Sequence, residues 1–508
     1  MKTLQRPVSY FRFALLAAQA FLQLGIPVRL FSRVTPTPYV PFTISQFGCA
    51  AGVMVTASHN PKEDNGYKVY WNNGAQILEP YDAAIQKSIL EHLEPKPRAW
   101  DTDSVRSNPL CSDPTEEVNS KYMAVIEERM LDREMNAACK TVFTFTSMHG
   151  VSHEYMTEGL RRCGFTAAFP VKEQMKPDPD FPTVKFPNPE EGKSALDLAI
   201  KTANKNGSRV ILANDPDADR LAVAERIGDS KEFRVFTGDN IGTLLGWWMW
   251  HAFKIRNPNA NPDQVYMIAS TVSSKALRSI AKKEGFHFEE TLTGFKWMAN
   301  KGIELEKNGN MVLFAYEEAI GYMCGTSVWD KDGVSAAMHM AEMVAYLDSN
   351  GLGTLEDHLN RLYTEYGFHV SNNSYYLNHR PEMTAKMFHR IRNFNEPNTY
   401  PTSLGRFEVS HVRDLTAGYD STTASKKPSL PVSRSSEMVT FYLDNSAIVT
   451  IRTSGTEPKI KWYSELCTPP GVPQSEWAAC TAELNELIDE MVRELYQPEA
   501  NGFVARSG

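Results

Sequence analysis

Short apolar runs alternate with helix-length amphipathic stretches along most of this chain, and that alternation limits the fold more than any other feature. Val28–Phe31, Ala51–Val55, Thr141–Thr146, Val210–Ala213 and Val265–Ala269 are runs of strand length. Each precedes a helical pattern, the signature of βαβ units in mixed or parallel sheets. A chain of 508 residues has room for three or four such domains. Breaks near Glu134–Cys139, in the loop Asn257–Pro262 and after Tyr366-Gly367 give the segments 1–138, 139–262, 263–372 and 373–508. The last segment is more β-like. It ends in a strand–loop–strand around Arg452–Tyr463 and a helix over roughly Glu476–Leu495.

Composition narrows the function classes. Hydrophobic residues make up 42% and charged residues 22%, values of a globular protein that buries a core. A net charge of −8, from 53 basic and 61 acidic residues, argues against a general nucleic-acid surface. Seven scattered cysteines without a CxxC suggest neither a disulfide framework nor a zinc site, which points to a reducing, cytoplasmic setting. No run reaches transmembrane length without a charge or an amide, so no membrane partner is expected. Lys2, Arg6 and Arg12 before Phe13–Ala20 allow a signal peptide. The strand-like Ile26–Phe31 that follows favours an amphipathic helix leading through Gly25.

Two segments carry chemistry. After Ala51–Val55 comes Thr56-Ala57-Ser58-His59-Asn60-Pro61-Lys62-Glu63-Asp64-Asn65-Gly66. A serine lifted on a loop at the end of a buried strand is placed to carry a covalent group. A turn or capping serine is the plainer alternative. After Val210–Ala213 comes Asn214-Asp215-Pro216-Asp217-Ala218-Asp219-Arg220. On an extended segment, Asp215, Asp217 and Asp219 share one side. Their repulsion calls for a cation, and hard oxygen ligands suit Mg²⁺ or Mn²⁺. A solvated acidic loop is the alternative, which the proline and the flanking apolar run disfavour.

Two later regions fit phosphate or sugar recognition. Arg452-Thr453-Ser454-Gly455-Thr456-Glu457-Pro458-Lys459 offers a guanidinium, hydroxyls and backbone N–H groups, the parts of a phosphate cradle. An ordinary hairpin loop has a similar composition. Thr291–Trp297 and Tyr316–Tyr322 read as loops in which Glu317 can accept sugar hydroxyls, unless the paired glutamates simply begin a helix. Asp330-Lys331-Asp332-Gly333 adds a cation or is a plain turn.

Together these motifs resemble the α-D-phosphohexomutase superfamily, from about residue 12 to the end. Asp64–Trp71 and Gly285–Thr291 look most like its phosphoglucomutase 2, phosphopentomutase and glucose-1,6-bisphosphate synthase group. The resemblance implies three similar mixed-sheet α/β domains and a C-terminal TATA-binding-protein-like α+β domain. It implies a monomeric enzyme that interconverts sugar 1-phosphates with 5- or 6-phosphates through a phosphoserine and a bisphosphosugar. Ser58 matches the phosphoserine, with His59 beside it and Lys68 as a general acid/base or fixed charge of lowered pKa. Asp215, Asp217 and Asp219, with a phosphoserine oxygen, match the ligands of one Mg²⁺. Arg220, Thr293, Gly294, Lys296, Glu317, Lys331, Arg452, Ser454, Gly455 and Thr456 match substrate-binding positions. Glucose 1,6-bisphosphate is the implied phosphorylating primer.

Two departures accompany the resemblance. The family's upstream segment, with its Gly-Thr-Ala-Gly-type loop and cleft arginine, has no counterpart, so the first domain is expected to be N-terminally truncated. Ala319 stands where many relatives carry a sugar-contacting serine, which is compatible with a pentose phosphate. Three further readings stay open: a glucose-1,6-bisphosphate synthase fed by 1,3-bisphosphoglycerate, a non-catalytic sugar-phosphate-binding isoform, and a metal-dependent phosphatase.

Overall fold

A computed structural model describes residues 7–184, 186–189, 193–433, 436–454 and 458–505. The strands Phe143–Thr146 and Val210–Ala213 run parallel at the centre of a five-stranded sheet. Phe169–Pro170 adds a parallel edge, and Ala222–Arg226 and Phe233–Val235 complete the other side antiparallel. All four residues of Val210–Ala213 are fully buried, as a strand covered on both faces must be. Helix Lys193–Asn206 packs on the two central strands and helix Gly238–Arg256 on Ala222–Arg226. The latter helix starts from a capping box, in which the Thr237 hydroxyl accepts from the Asn240 N–H.

A four-stranded sheet repeats this plan. His287–Thr291, Val265–Ser270 and Met311–Glu317 are parallel, and Gly321–Cys324 returns antiparallel. Ile268, Val312 and Ala315 bury against Met298, Ala299 and Ile303 of helix Phe295–Lys307. Before these sheets, Ala51–Val55 and Tyr67–Trp71 form a two-stranded antiparallel pair, backed by helix Tyr39–Phe47 through Val40, Ile44 and Tyr70. Residues Pro7–Leu22 are helical. The strand expected over Val28–Phe31 shortens to Val28–Arg29, paired in parallel with Cys111–Ser112. Among the described residues, no helix is long and apolar enough to cross a membrane.

Residues 7–270 and 286–358 form one unit; residues 271–285 and 359–505 form a second. In the second unit the sheet is antiparallel, ordered from Ser403–Leu404 through Phe407–Asp414, Met438–Leu443, Ala447–Thr453, Lys459–Cys467 and Ser374–Leu377 to Val504–Ala505. One face buries Val439, Phe441, Val449, Ile451, Ile460 and Trp462 against Phe388 of helix Pro381–Ile391 and Leu487 of helix Trp477–Met491. The helix expected over roughly Glu476–Leu495 is present as Trp477–Met491, continued in π-helical form by Val492–Tyr496.

Four of the motifs sit at hairpins, while Thr291–Gly294 and Asp330–Asp332 lead into helices. The serine loop joins Ala51–Val55 to Tyr67–Trp71, and the aspartate loop joins Val210–Ala213 to Ala222–Arg226. Glu317–Ala319 lies where Met311–Glu317 turns into Gly321–Cys324, and Arg452–Ser454 ends the first strand of Ala447–Thr453/Lys459–Cys467. A hairpin fixes both ends of its loop to paired backbone, which holds the loop's side chains in place.

Candidate active site

Closure of the serine loop depends on Gly66. The Thr56 N–H donates to the Gly66 carbonyl at 3.1 Å. A Cβ on Gly66 would stand 2.2 Å from the Thr56 oxygen, so only glycine permits this approach. Inside the loop, Ser58 adopts φ 54°, and its N–H donates to Thr56 Oγ1 at 2.9 Å. A left-handed non-glycine residue costs roughly 1–3 kcal/mol and persists where its surroundings fix it, typically at functional sites. The conformation brings Ser58 Oγ to 3.2 Å from Asp215 Oδ2 and 3.2 Å from His59 Nδ1.

The aspartate loop is curled rather than extended, correcting the expectation that strand alternation aligns the three carboxylates. Ala218 has φ 59°, and its N–H donates to the Asp215 carbonyl at 2.9 Å. Asn214 Nδ2 donates to the Arg220 carbonyl at 2.7 Å, and the Arg220 N–H to Asp215 Oδ1 at 3.0 Å. Neighbouring segments pin the outside: the Thr37 N–H donates to the Asp217 carbonyl, and the Gly333 N–H to that of Ala218. The turn gathers one oxygen from each of Asp215, Asp217 and Asp219 within 4.8 Å of one another, all three residues being buried.

Cations surround this cluster. Lys68 Nζ lies 2.9 Å from both Asp217 Oδ2 and Asp219 Oδ2. Lys331 Nζ lies 3.0 Å from Asp219 Oδ2 and 3.3 Å from Asp330 Oδ1. Arg220 Nε is 3.9 Å from both Asp215 Oδ2 and Asp219 Oδ1. Burial and the Asp217 and Asp219 charges push Asp215 well above the carboxylate range. Burial acts in the same direction on Asp219, but Lys331, Lys68 and Arg220 outweigh it and hold that carboxyl low. Asp217 is also lowered: burial and Asp219 raise it, while Lys68 and the Thr37 hydroxyl prevail. His59 is pulled down to about 3, first by the Arg220 guanidinium and then by burial, so its ring is neutral.

Lys68 departs from expectation. Burial lowers its pKa, but Asp217, Asp219 and Asp330 raise it more, and the ammonium is held above its ordinary range. With these side chains around it, Lys68 is a fixed charge. Lys331, expected as a cation or a plain turn, is buried and shares the Asp219 oxygen with Lys68; Asp332 caps helix Gly333–Ser349 by accepting from the Ser335 N–H at 3.0 Å.

The remaining matches divide between the units. In the first, Glu317 Oε1 accepts from the Gly294 N–H at 2.5 Å, tying the two sugar-loop candidates together. The adjacent glutamates end a strand and enter a turn; they do not begin a helix. Thr293 precedes helix Phe295–Lys307, and Lys296 Nζ stands 5.7 Å from the Trp297 ring. In the second unit, Arg452 and Ser454 lie at the end of Ala447–Thr453; Gly455 and Thr456 lie outside the described residues.

Sequence reasoning missed two supporting groups. Thr37 Oγ1 donates to Asp217 Oδ2 at 2.7 Å. Its signal was a threonine flanked by Pro36 and Pro38, a rigid turn of no evident purpose. Asp330 accepts from Tyr70 OH at 2.6 Å and Gln76 Nε2 at 2.8 Å beside Lys331, a long-range network with no local signature.

The donor set fits a hard divalent cation. Among the described residues, the buried Oδ1 atoms of Asp217 and Asp219 have no hydrogen-bond partner. Three clustered carboxylates with spare oxygens suit Mg²⁺, which takes few protein ligands and keeps positions for water or phosphate.

Models of the phosphoglucomutase/phosphomannomutase α/β/α domains I, II and III match residues 8–96, 120–228 and 237–366. Human phosphopentomutase is 51% identical over 489 residues, covering 96% of this chain and 79% of that protein. The chain belongs to the phosphoglucomutase/phosphomannomutase family, within the α-D-phosphohexomutase superfamily. Human glucose 1,6-bisphosphate synthase is 49% identical, covering 98% of this chain and 79% of that protein. A probable phosphoribomutase of Schizosaccharomyces pombe is 42% identical, with coverages of 97% and 82%. Among solved structures, the Paramecium phosphoprotein pp63/parafusin shares the fold at a TM-score of 0.63 and 18% identity, covering 90% of this chain and 81% of that one.

Proposed function

We propose that this family member is a sugar-phosphate mutase that interconverts the 1- and 5-phosphates of ribose and deoxyribose, and the 1- and 6-phosphates of glucose. The observation that carries the reading is a strained, loop-borne Ser58 whose Oγ lies 3.2 Å from a buried three-carboxylate cluster. Phosphoryl transfer needs in-line positioning and charge neutralisation more than covalent assistance. Ser58 carries the phosphoryl group, gives it to the bound sugar phosphate and receives the other phosphate of the resulting bisphosphosugar. Asp215, Asp217 and Asp219 would hold one Mg²⁺, which would supply charge neutralisation for the transfer.

Lys68, Lys331 and Arg220 hold fixed positive charge around those oxygens. His59, neutral and 3.2 Å from Ser58 Oγ, is placed to exchange a proton with that hydroxyl. Thr293, Gly294, Lys296 and Glu317 recognise the sugar, and Arg452, Ser454, Gly455 and Thr456 hold the non-reacting phosphate. Binding energy from that phosphate orients the sugar for reaction. Glucose 1,6-bisphosphate serves as primer. The same reading makes the protein a cytoplasmic monomer without a nucleic-acid partner, organised as the segments 1–138, 139–262, 263–372 and 373–508.

A glucose-1,6-bisphosphate synthase is the second reading, supported by a relative at nearly the same identity. The two differ in what recharges Ser58. Phosphorus NMR separates them with ribose 1-phosphate, Mg²⁺ and a trace of glucose 1,6-bisphosphate, or with glucose 1-phosphate and 1,3-bisphosphoglycerate. Ribose 5-phosphate forming in the first mixture supports the mutase; net bisphosphate forming only in the second supports the synthase.

A further inference from the structure

Outside the candidate active site, one cluster of titratable groups has the layout of an activated nucleophile. In the second unit, His369–Ser371 pairs antiparallel with Lys459–Cys467, and His369 stands directly opposite Cys467. Cys467 Sγ lies 3.2 Å from His369 Nε2. On the other side of the ring, His369 Nδ1 lies 3.1 Å from Glu465 Oε1. That carboxylate is itself fixed, since Oε1 accepts from the Lys275 N–H at 2.8 Å. Ser279 Oγ also reaches His369 Nε2, at 3.0 Å. The order thiol, imidazole, carboxylate is that of a nucleophile beside a ring oriented by a third group.

Electrostatics agree with this geometry. Burial lowers the pKa of His369, but Glu465 and Cys467 overcome it and lift the ring to about 10. A charged imidazolium therefore faces the sulfur at neutral pH. None of the other six cysteines has an imidazole beside it among the described contacts. Burial pushes the Cys111, Cys139 and Cys480 thiols up, and Cys163 up to about 12. Cys467 is half-buried rather than sealed in the core.

We propose that Cys467 is a covalent modification site, a nucleophilic thiol positioned by His369 and Glu465 for reaction with a hydroperoxide. The Cys467 sulfur attacks as thiolate on the near oxygen of the peroxide. The S–O bond forms and the O–O bond breaks; the leaving hydroxide or alkoxide takes up a proton. Sulfur is oxidised to a sulfenic acid and the peroxide is reduced. The His369 imidazolium holds the negative charge at sulfur during attack, and Glu465 keeps the ring aimed. None of these residues belongs to the phosphoryl-transfer machinery, so the proposal stands apart from the mutase reading.

The test uses the full chain under native conditions. Limiting iodoacetamide, and separately hydrogen peroxide with dimedone, is followed by peptide mapping of all seven cysteines. Cys467 is expected to label roughly tenfold faster than Cys111 or Cys480, which are half-buried without an imidazole. His369→Asn and Glu465→Gln should each slow Cys467 toward the rate of those two. Labelling of Cys467 in the unmodified sequence at or below the rate of Cys480 overturns the proposal, whatever the variants do. A fast Cys467 whose rate is unchanged in a folded Glu465→Gln or His369→Asn protein overturns it equally, because the triad would then be idle.

Discussion

Replacing Lys68 by methionine separates charge balance from catalysis in the aspartate cluster. The ammonium contacts Asp217 Oδ2 and Asp219 Oδ2 at 2.9 Å each. After its removal, Asp219 keeps Lys331 at 3.0 Å, whereas Asp217 keeps the Thr37 hydroxyl and no ammonium. Removing one partner of a buried ion pair costs about 3–5 kcal/mol. The Lys68 side chain is 21% exposed, which favours the low end, about 3 kcal/mol. That cost falls on the metal-free protein. A divalent cation bound to the same carboxylates restores the balance and no longer meets a competing ammonium. At about 1.4 kcal/mol per decade, relief of the full 3 kcal/mol would tighten Mg²⁺ binding by roughly a hundredfold. Partial relief still gives about tenfold.

Calorimetric titration of Mg²⁺ into metal-free wild-type and Lys68→Met protein in mildly alkaline buffer measures this directly. Urea unfolding with and without Mg²⁺ provides the stability arm. Mutase activity should be lost even as the metal binds more tightly. A folded Lys68→Met protein that binds Mg²⁺ no better than wild type would refute the competition between ammonium and metal.

Thr37→Val should act in the opposite sense. It removes a neutral donor that orients Asp217, and groups of that kind typically contribute about 10–100-fold in metal affinity; the same calorimetry would show weaker Mg²⁺ binding. The His369–Glu465 pair should make the second unit pH-sensitive. The folded His369 pKa, about 10, lies above the ordinary 6.5, so its stabilisation is fully present below 6.5 and lost as pH rises toward 10. Urea midpoints across that window should fall in wild type and flatten in His369→Asn. His59, held near 3, should show no ring titration by NMR across neutral pH.

Much of the strand–helix alternation and the four motif loops were legible because each is local, an apolar run followed by a polar loop. Ala51–Val55, only partly buried, and Val210–Ala213 depart from the alternation, each being followed by a returning hairpin strand and not by a helix. What escaped was long-range. Nothing near Thr37 in the sequence foretells a partner at Asp217, and Tyr70 reads as a strand aromatic until Asp330 is brought to it. The sign of the Lys68 shift also depended on tertiary structure, since three carboxylates rather than neighbouring cations dominate its surroundings. The curl of the aspartate loop rests on Ala218 in the left-handed region, which carries no residue signature such as glycine or asparagine. The Cys467 triad was equally invisible, because its three members come together only through the pairing of His369–Ser371 with Lys459–Cys467.

Phosphate on Ser58 is the most direct measure of the mechanism. Full-length protein charged with glucose 1,6-bisphosphate in the presence of Mg²⁺, then mapped by mass spectrometry, should carry one phosphate, on Ser58. Addition of excess ribose 1-phosphate should discharge it as bisphosphosugar forms, and Ser58→Ala should neither take up phosphate nor catalyse exchange. An unphosphorylated Ser58 in active protein, or a Ser58→Ala protein with the wild-type mutase rate, would contradict the role given to this serine.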